Sequence, residues 1–560
     1  MVYNSLDEVP NEVKEKLGKY FTTVGGDTFV IHGLPPELTG GALARYSRAK
    51  SGIQLTLLNE FFDEHGEPSQ EKGAALMDRV LNAFGDDSVG ELEGTHVGLE
   101  NVSQLFTKEI EDRRIGGSPI EQSTRYVLYD QKDAQGRWRY FRPKEIVTSE
   151  FSEKYEQVNN HAFKVYTHCV EKLKNYFAQE LPREKFPIQV EREGKMLSAF
   201  EKDLSSEEER KAFRIAYNFT IRCAALDVGR CVLPSSTLTQ LGVFGNGRFY
   251  THLLSSLKGS ELSEAQERGV LLENELNKVI PTYIKRNKAD PRQRKINKDM
   301  KDIAEKLFAG IIPTAEKVTL LPRLNHLDET LASCLFPYTS VSLSQIFSVV
   351  QQLPEEKKTE ILVAYRGDRQ SRRDRTGRGV EAGYPLLFDL VGGFAEYRDL
   401  ERHRMLTQQR QLLTTNLGFI MPPEISAVGL EKEVEDVVAE MEDLHGALRD
   451  VGLKEVAQYA TLFNHRLRFM MGMNLREFQH LTELRSQPAG HFSYRSMVMD
   501  MAKAVQQRDP WTQYFLGFVD YTDPGNKISR AKEQAKIAGK NLAAGVESGI
   551  DLELQGNGES

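Results

Sequence analysis

From Lys285 to Lys301 the chain runs through charged and polar residues with almost nothing that could enter a core. That interruption limits how the rest can fold. A chain of 560 residues is long for one core, since domains run to about 150 residues each. The break predicts two bodies, residues 1–290 and 300–523. A polar tail over 524–560 loses aromatic content and reads as a loose helix followed by disorder. Related segments flank the break. EDRRIGGSPIEQSTRYVLYD at 111–130 resembles ERHRMLTQQRQLLTTNLGF at 401–419, and TQLGVFGNGRFYTHLLSSL at 239–257 resembles part of 457–485. Recurrence of this kind is the mark of duplication.

Hydrophobic spacing gives a coarse outline. Residues 155–177 and 207–226 read as amphipathic helices, as does the stretch carrying Leu430, Val434, Val437, Val438, Met441 and Leu444. Residues 42–62 and 461–484 also read as helical. The stretch 97–111 fits neither helical nor strand period cleanly. Gly116-Gly117-Ser118-Pro119 is a turn signal, and Arg125 to Tyr129 after it is β-prone. The expected class is α/β (α+β), in two similar halves, each a sheet packed with helices.

Several function classes lose support at once. Net charge is −8, against a general electrostatic grip on nucleic acid. The four cysteines lack C-x-x-C spacing, against a disulfide scaffold or cysteine-rich zinc site, and no metal is expected. No run of 18 apolar residues occurs and the first residues lack an apolar signal core, so no membrane partner and a cytoplasmic location are expected. P-loop, H-E-x-x-H and G-x-S-x-G motifs are absent, and Gly245-Asn246-Gly247 lacks the third glycine of a dinucleotide turn.

What remains is an unusual set of arginines among polar residues. Arg402-His403-Arg404 can offer two forked guanidiniums and an imidazole to a phosphate or pyrophosphate. Glu121, Ser123 and Arg125 alternate at period two, so an extended backbone would put an acceptor, a hydroxyl and a cation on one face. Asn474 and Arg485 are about three helical turns apart, with Phe478 and Leu481 between them, and could roof a planar ring. On these residues alone, a solvated polar loop and a core helix with polar ends explain the same patterns. The arginine-rich run 366–378 reads as a solvated loop or as an anion-binding lid.

At these residues the chain resembles the flavin-dependent thymidylate synthases, the ThyX family, in a long tandem form. Arg402-His403-Arg404 matches the family's R-H-R, with Leu412 where a serine is expected. Around 113–126 the R-H-R is lost, while Glu121, Ser123, Arg125 and Tyr126 are kept. Arg230-Cys231-Val232-Leu233-Pro234 matches a further element. Asn474, Arg476 and Arg485 match the C-terminal helix, whose earlier copy keeps Asn246 and Arg248 but has Leu257 at the last arginine.

The resemblance implies that Glu121, Gln122, Ser123, Thr124, Arg125, Arg230 and Arg402 bind dUMP. It assigns Arg402, His403, Arg404, Asn474, Arg476 and His480 to FAD, and makes Arg485 catalytic. NADPH would be reductant and methylenetetrahydrofolate the carbon donor. Because each half retains complementary residues, the resemblance implies a pseudo-dimer with one complete site and one lost one, working as a homodimer (a pseudo-tetramer). The alternatives are a catalytically drifted nucleotide- or flavin-binding protein of the same fold, and a nucleic-acid-binding module built on 366–378.

Overall fold

The computed structural model describes residues 3–47, 49–63, 66–78, 87–113, 115–192, 195–285, 287, 317–320, 326–335, 343–367, 369, 378–380, 386–525 and scattered positions between 531 and 539. Most of the charged break, of the run 366–378 and of the tail from 524 lies outside them. The chain forms two compact units. One takes residues 1–122, 141–145 and 238–312, the other 123–140, 146–237 and 313–560. The second unit therefore includes long helices from the N-terminal half of the sequence.

In chain order, β1 (Gly94–Ser103) runs straight into α1 (Gln104–Glu111), and β2 (Gly117–Glu121) follows. The stretch that fitted neither period is a strand joined to a helix, with Ser103 Oγ accepting the Phe106 N–H as its cap. Next come α2 (Ser152–Glu180), the hairpin β3 (Pro187–Arg192) and β4 (Lys195–Phe200), and α3 (Glu207–Gly229). Both helices lie where the apolar spacing puts them. Ser206 and Glu209 form a reciprocal capping box at the start of α3. Then β5 (Leu238–Asn246) leads into α4 (Gly247–Gly259).

Beyond the break lie β6 (Val318–Leu320), β7 (Leu386–Gly393), α5 (Phe394–Leu400), β8 (Thr407–Arg410), α6 (Glu431–Asp450), β9 (Arg466–Met473), α7 (Leu475–Arg485) and α8 (Phe492–Arg508). Helix α6 buries Val434, Val437, Met441 and Leu444, as its spacing requires. The expectation of one helix over 461–484 needs correction: β9 occupies its first part. Leu467, Phe469, Met471 and Met473 alternate inward there, and pairing on both sides overrides the helical preference of Leu and Met.

The first unit's sheet has the order β1-β5-β2, and the second unit's has β6-β7-β9-β8. All pairs are antiparallel. Each unit repeats one plan: strand, helix, strand, and later a central strand ending at an asparagine that caps the next helix. Asn246 Oδ1 accepts the Phe249 N–H, and Asn474 Oδ1 accepts the Glu477 N–H. Registers agree as well. Counted back from each asparagine, Ser118 opposite Phe244 matches Thr407 opposite Gly472, and Glu121 opposite Leu241 matches Arg410 opposite Phe469. Leu412 thus takes the position of Ser123.

The repeats differ at one inserted residue. In β1 the register shifts between Glu100 and Val102, and Asn101 stands at φ 54°. This is a bulge in the left-handed region, which asparagine tolerates and β-branched residues do not. Asn101→Val is expected to lower unfolding free energy by about 1–2 kcal/mol and Asn101→Gly to change it by less than about 0.5 kcal/mol. Chemical denaturation of the two variants checks this; equal losses would contradict it.

Candidate functional site

The chain enters the second unit at Ser123, and there β-structure stops. The amides of Tyr126 and Val127 both donate to the Ser123 carbonyl, closing a turn. The extended reading of Glu121, Ser123 and Arg125, and the β-prone reading of 125–129, are therefore both corrected: a strand ending at Glu121 meets a turn. Ser123 Oγ is half-buried and accepts the Arg125 N–H at 3.2 Å. The turn drives Thr124 and Arg125 inward, where both are buried.

Arg125 meets a matched set of acceptors. Its Nε and Nη2 donate to Asp227 at 2.9 and 3.2 Å, its Nη1 to the Tyr494 hydroxyl at 3.2 Å, and Nη2 also to the Ala489 carbonyl at 3.3 Å. Asp227 lies one helical turn before Arg230, so α3 and its end deliver both groups to one side. Arg230 is 2% exposed. Its Nη2 donates to Asp399 at 3.0 Å and its Nη1 to Thr124 Oγ1 at 3.3 Å. Arg398 donates to the same Thr124 oxygen at 3.1 Å. The Nε of Arg230 is buried without a hydrogen-bond partner among the described residues.

Arg485 comes to this cluster from the end of α7. Its guanidinium carbon lies 5.8 Å from the centroid of the Tyr494 ring, and that of Arg125 lies 5.7 Å from the same centroid. Arg485 Nε donates to His403 Nε2 at 2.9 Å, and His403 Nδ1 is 2.8 Å from Glu477 Oε1. His403 is buried, whereas Arg402 and Arg404 on either side are exposed.

The structure thus brings Ser123, Thr124, Arg125, Arg230, His403 and Arg485 into one unit. Glu121 and Gln122 belong to the other unit, where Glu121 is buried against Thr107 Oγ1 at 3.1 Å and Lys108 Nζ at 3.5 Å. Asn474 is occupied as a helix cap, Arg476 is half-buried and His480 is exposed, its ring 5.5 Å from that of His403. From the arginine run, Arg369 turns inward to a buried ion pair with Glu483 at 2.6 Å. Sequence reasoning missed Asp227, Asp399, Glu477, His491 and Tyr494. Only Asp227 carried a legible signal, its helical spacing from Arg230.

Comparison with known proteins gives the cluster a context. The family model described as thymidylate synthase complementing protein matches residues 36–282 and 391–511. A UPF0159 protein of Chlamydia muridarum (strain MoPn / Nigg) is 33% identical over 550 residues, covering 94% of this chain and 98% of the relative. One from Chlamydia pneumoniae is 33% identical over 540 residues, covering 92% and 96%. One from Thermoplasma acidophilum is 30% identical over 518 residues, covering 90% and 99%. Both segments matched by the family model contribute to the cluster: Arg125, Asp227 and Arg230 come from the first, and Asp399, His403, Arg485 and Tyr494 from the second.

Burial and neighbouring charges shift several titratable groups of the second unit. Desolvation would raise the Asp399 carboxyl, but Arg230 first and Arg125 next hold it well below the usual carboxylate range. Burial pushes Asp227 up, partly offset by Arg125. Burial also lowers His403, His465 and His491, and takes His445 down to about 4. The charges of Arg230 and Arg125 add to the lowering at His491, which donates from Nε2 to the Asp227 carbonyl at 2.8 Å. Imidazoles of the unfolded chain titrate near 6.5, so these histidines contribute stability that is present above that pH and lost as pH falls toward their folded values. The thermal unfolding midpoint is expected to fall by several degrees between pH 7 and 5, and less steeply in His445→Gln. A midpoint that stays level or rises over that range would contradict these assignments.

Proposed function

This chain belongs to the family of thymidylate synthase complementing proteins, the flavin-dependent thymidylate synthases, and on that premise we propose that it makes dTMP from dUMP at one composite site per chain. Methylenetetrahydrofolate is the carbon donor, NADPH the reductant and FAD the cofactor. One observation carries the reading. Arg125 and Arg485, 360 residues apart in sequence, meet on one tyrosine ring, with Arg230 beside them through Thr124 and Asp227.

The chemistry asks for an anion site and a fixed cation. Arg230 offers a buried Nε–H with no partner among the described residues, and Ser123 a half-buried hydroxyl; both are assigned to the phosphate of dUMP. Carbon transfer to C5 replaces its hydrogen, and moving electron density to C5 builds negative charge on the uracil N3–O4 edge. Arg485 stabilises that charge without proton transfer, because a guanidinium stays protonated. No cysteine nucleophile is needed. All four cysteines are buried, and burial pushes Cys169 and Cys334 up to about 12.

FAD, when bound, supplies the electrons passed from NADPH to the transferred carbon. Arg402 and Arg404 are exposed cations, His480 is an exposed donor and Arg476 is half-buried near the start of α7. That donor set suits a diphosphate, and along α7 His480 and Arg476 lie about 7 and about 13 Å from Arg485. Asn474 fits less well, since its side chain already caps α7.

The repeated plan and register of the two units support an internal pseudo-dimer, with 1–290 and 300–523 as its halves and two chains making a cytoplasmic homodimer. Leu412 and Leu257 at the reciprocal positions leave the second site without its hydroxyl and its cation. A drifted nucleotide- or flavin-binding protein is the second reading, favoured by the commitment of Arg125 to Asp227, Tyr494 and Ala489. Bound flavin without dTMP formation would select it.

Arg485→Ala is expected to lower kcat for dTMP about 10²–10³-fold. Ser123→Ala should abolish most dTMP formation, chiefly by weakening dUMP binding. Leu412 is 40% exposed, so Leu412→Ala should keep normal turnover and change stability by less than about 0.5 kcal/mol. Turnover per mole of folded protein decides the matter; equal losses in all three would overturn the one-site account.

A further inference from the structure

The histidine of the R-H-R motif does something other than face a ligand. His403 is 4% exposed and both ring nitrogens are engaged within the protein. Arg485 has no acceptor to offer, so its Nε–H donates and His403 Nε2 accepts, at 2.9 Å. The ring proton must then sit on Nδ1, which donates to Glu477 Oε1 at 2.8 Å. Glu477 is itself fixed in the first turn of α7, its amide held by Asn474. Side chains on a helix lean toward its N-terminus, so Arg485 reaches back along α7 to the imidazole, and the Tyr494 ring lies at its guanidinium.

We propose that His403 and Glu477 are positioning residues for Arg485: a Glu477–His403–Arg485 relay, with the imidazole neutral, that fixes where the guanidinium points. This rests on the reading of Arg485 as the group that stabilises the activated uracil, and it replaces the direct FAD contact that motif position alone would give His403. A neutral acceptor aims the arginine while leaving its charge undiminished, which a carboxylate in the same place would not do.

The relay separates from an FAD-binding role by a double-mutant cycle measured at saturating FAD. His403→Ala should lower kcat for dTMP at least tenfold, with flavin content and FAD affinity, read at about 450 nm, changed less than threefold. In an Arg485→Ala background the same change should cost less than threefold, because the group it positions is gone. Glu477→Gln, whose amide oxygen still accepts from Nδ1, should keep kcat within about threefold, and Glu477→Leu should not. Additive losses, or activity of His403→Ala restored by excess FAD, would overturn the proposal. A readout independent of turnover is the ¹⁵N spectrum of histidine-labelled protein, with the His403 signal identified by its loss in His403→Gln. The Nδ1–H tautomer is expected at neutral pH; an Nε2–H or doubly protonated ring overturns the relay. If the wild-type chain makes no dTMP, the reaction reading fails, and the tautomer still decides the relay.

Discussion

The second unit is organised around two buried ion pairs, Arg125 with Asp227 and Arg230 with Asp399. Charges so deep are tolerable only when paired and further bonded, and removing one partner of such a pair typically costs about 3–5 kcal/mol. Thr124, Tyr494 and the Ala489 carbonyl supply the additional bonds here. The pairs tie the turn after Ser123 to α3, α5 and α8, four pieces far apart in sequence. Everything proposed for the site depends on that tie, because it fixes the turn that presents Ser123 and the ring against which Arg485 lies.

Electrically the two pairs cancel. Arg485 stands apart from them: among the described residues its direct hydrogen-bond partner is an imidazole kept neutral by burial, so no carboxylate offsets it at contact distance. A cation with no carboxylate at contact distance, half-screened from water, is suited to meet negative charge that appears only during reaction. The same burial that keeps His403 neutral thus serves both the stability of the unit and the field at its edge.

Much of this was legible in the sequence, for physical reasons that differ by element. Helices α2, α3 and α6 bury one stripe each, and a 3.6-residue period survives whatever they pack against. Strand β9 did not declare itself, because Leu, Phe and Met suit a helix as well as a strand and only its two neighbours decide. The related segments made duplication an expectation from sequence, and the capping asparagines Asn246 and Asn474 hold matching places beside the two sheets. Arg230 and Arg485 were found by motif, and the structure brings them into one unit. Their partners were not legible: Asp399, Glu477 and Tyr494 are ordinary residues until the fold sets them against a guanidinium. Glu121 and Ser123 looked like one face, and a turn separated them.

The tandem chain is proposed to carry one working nucleotide site, built in the second unit, with the reciprocal site lost at Leu412 and Leu257. Titration calorimetry of the purified, flavin-loaded protein with dUMP tests this directly. One dUMP per chain is expected, with binding weakened by Ser123→Ala. Two dUMP molecules per chain of similar affinity, or one that is indifferent to Ser123, would contradict it.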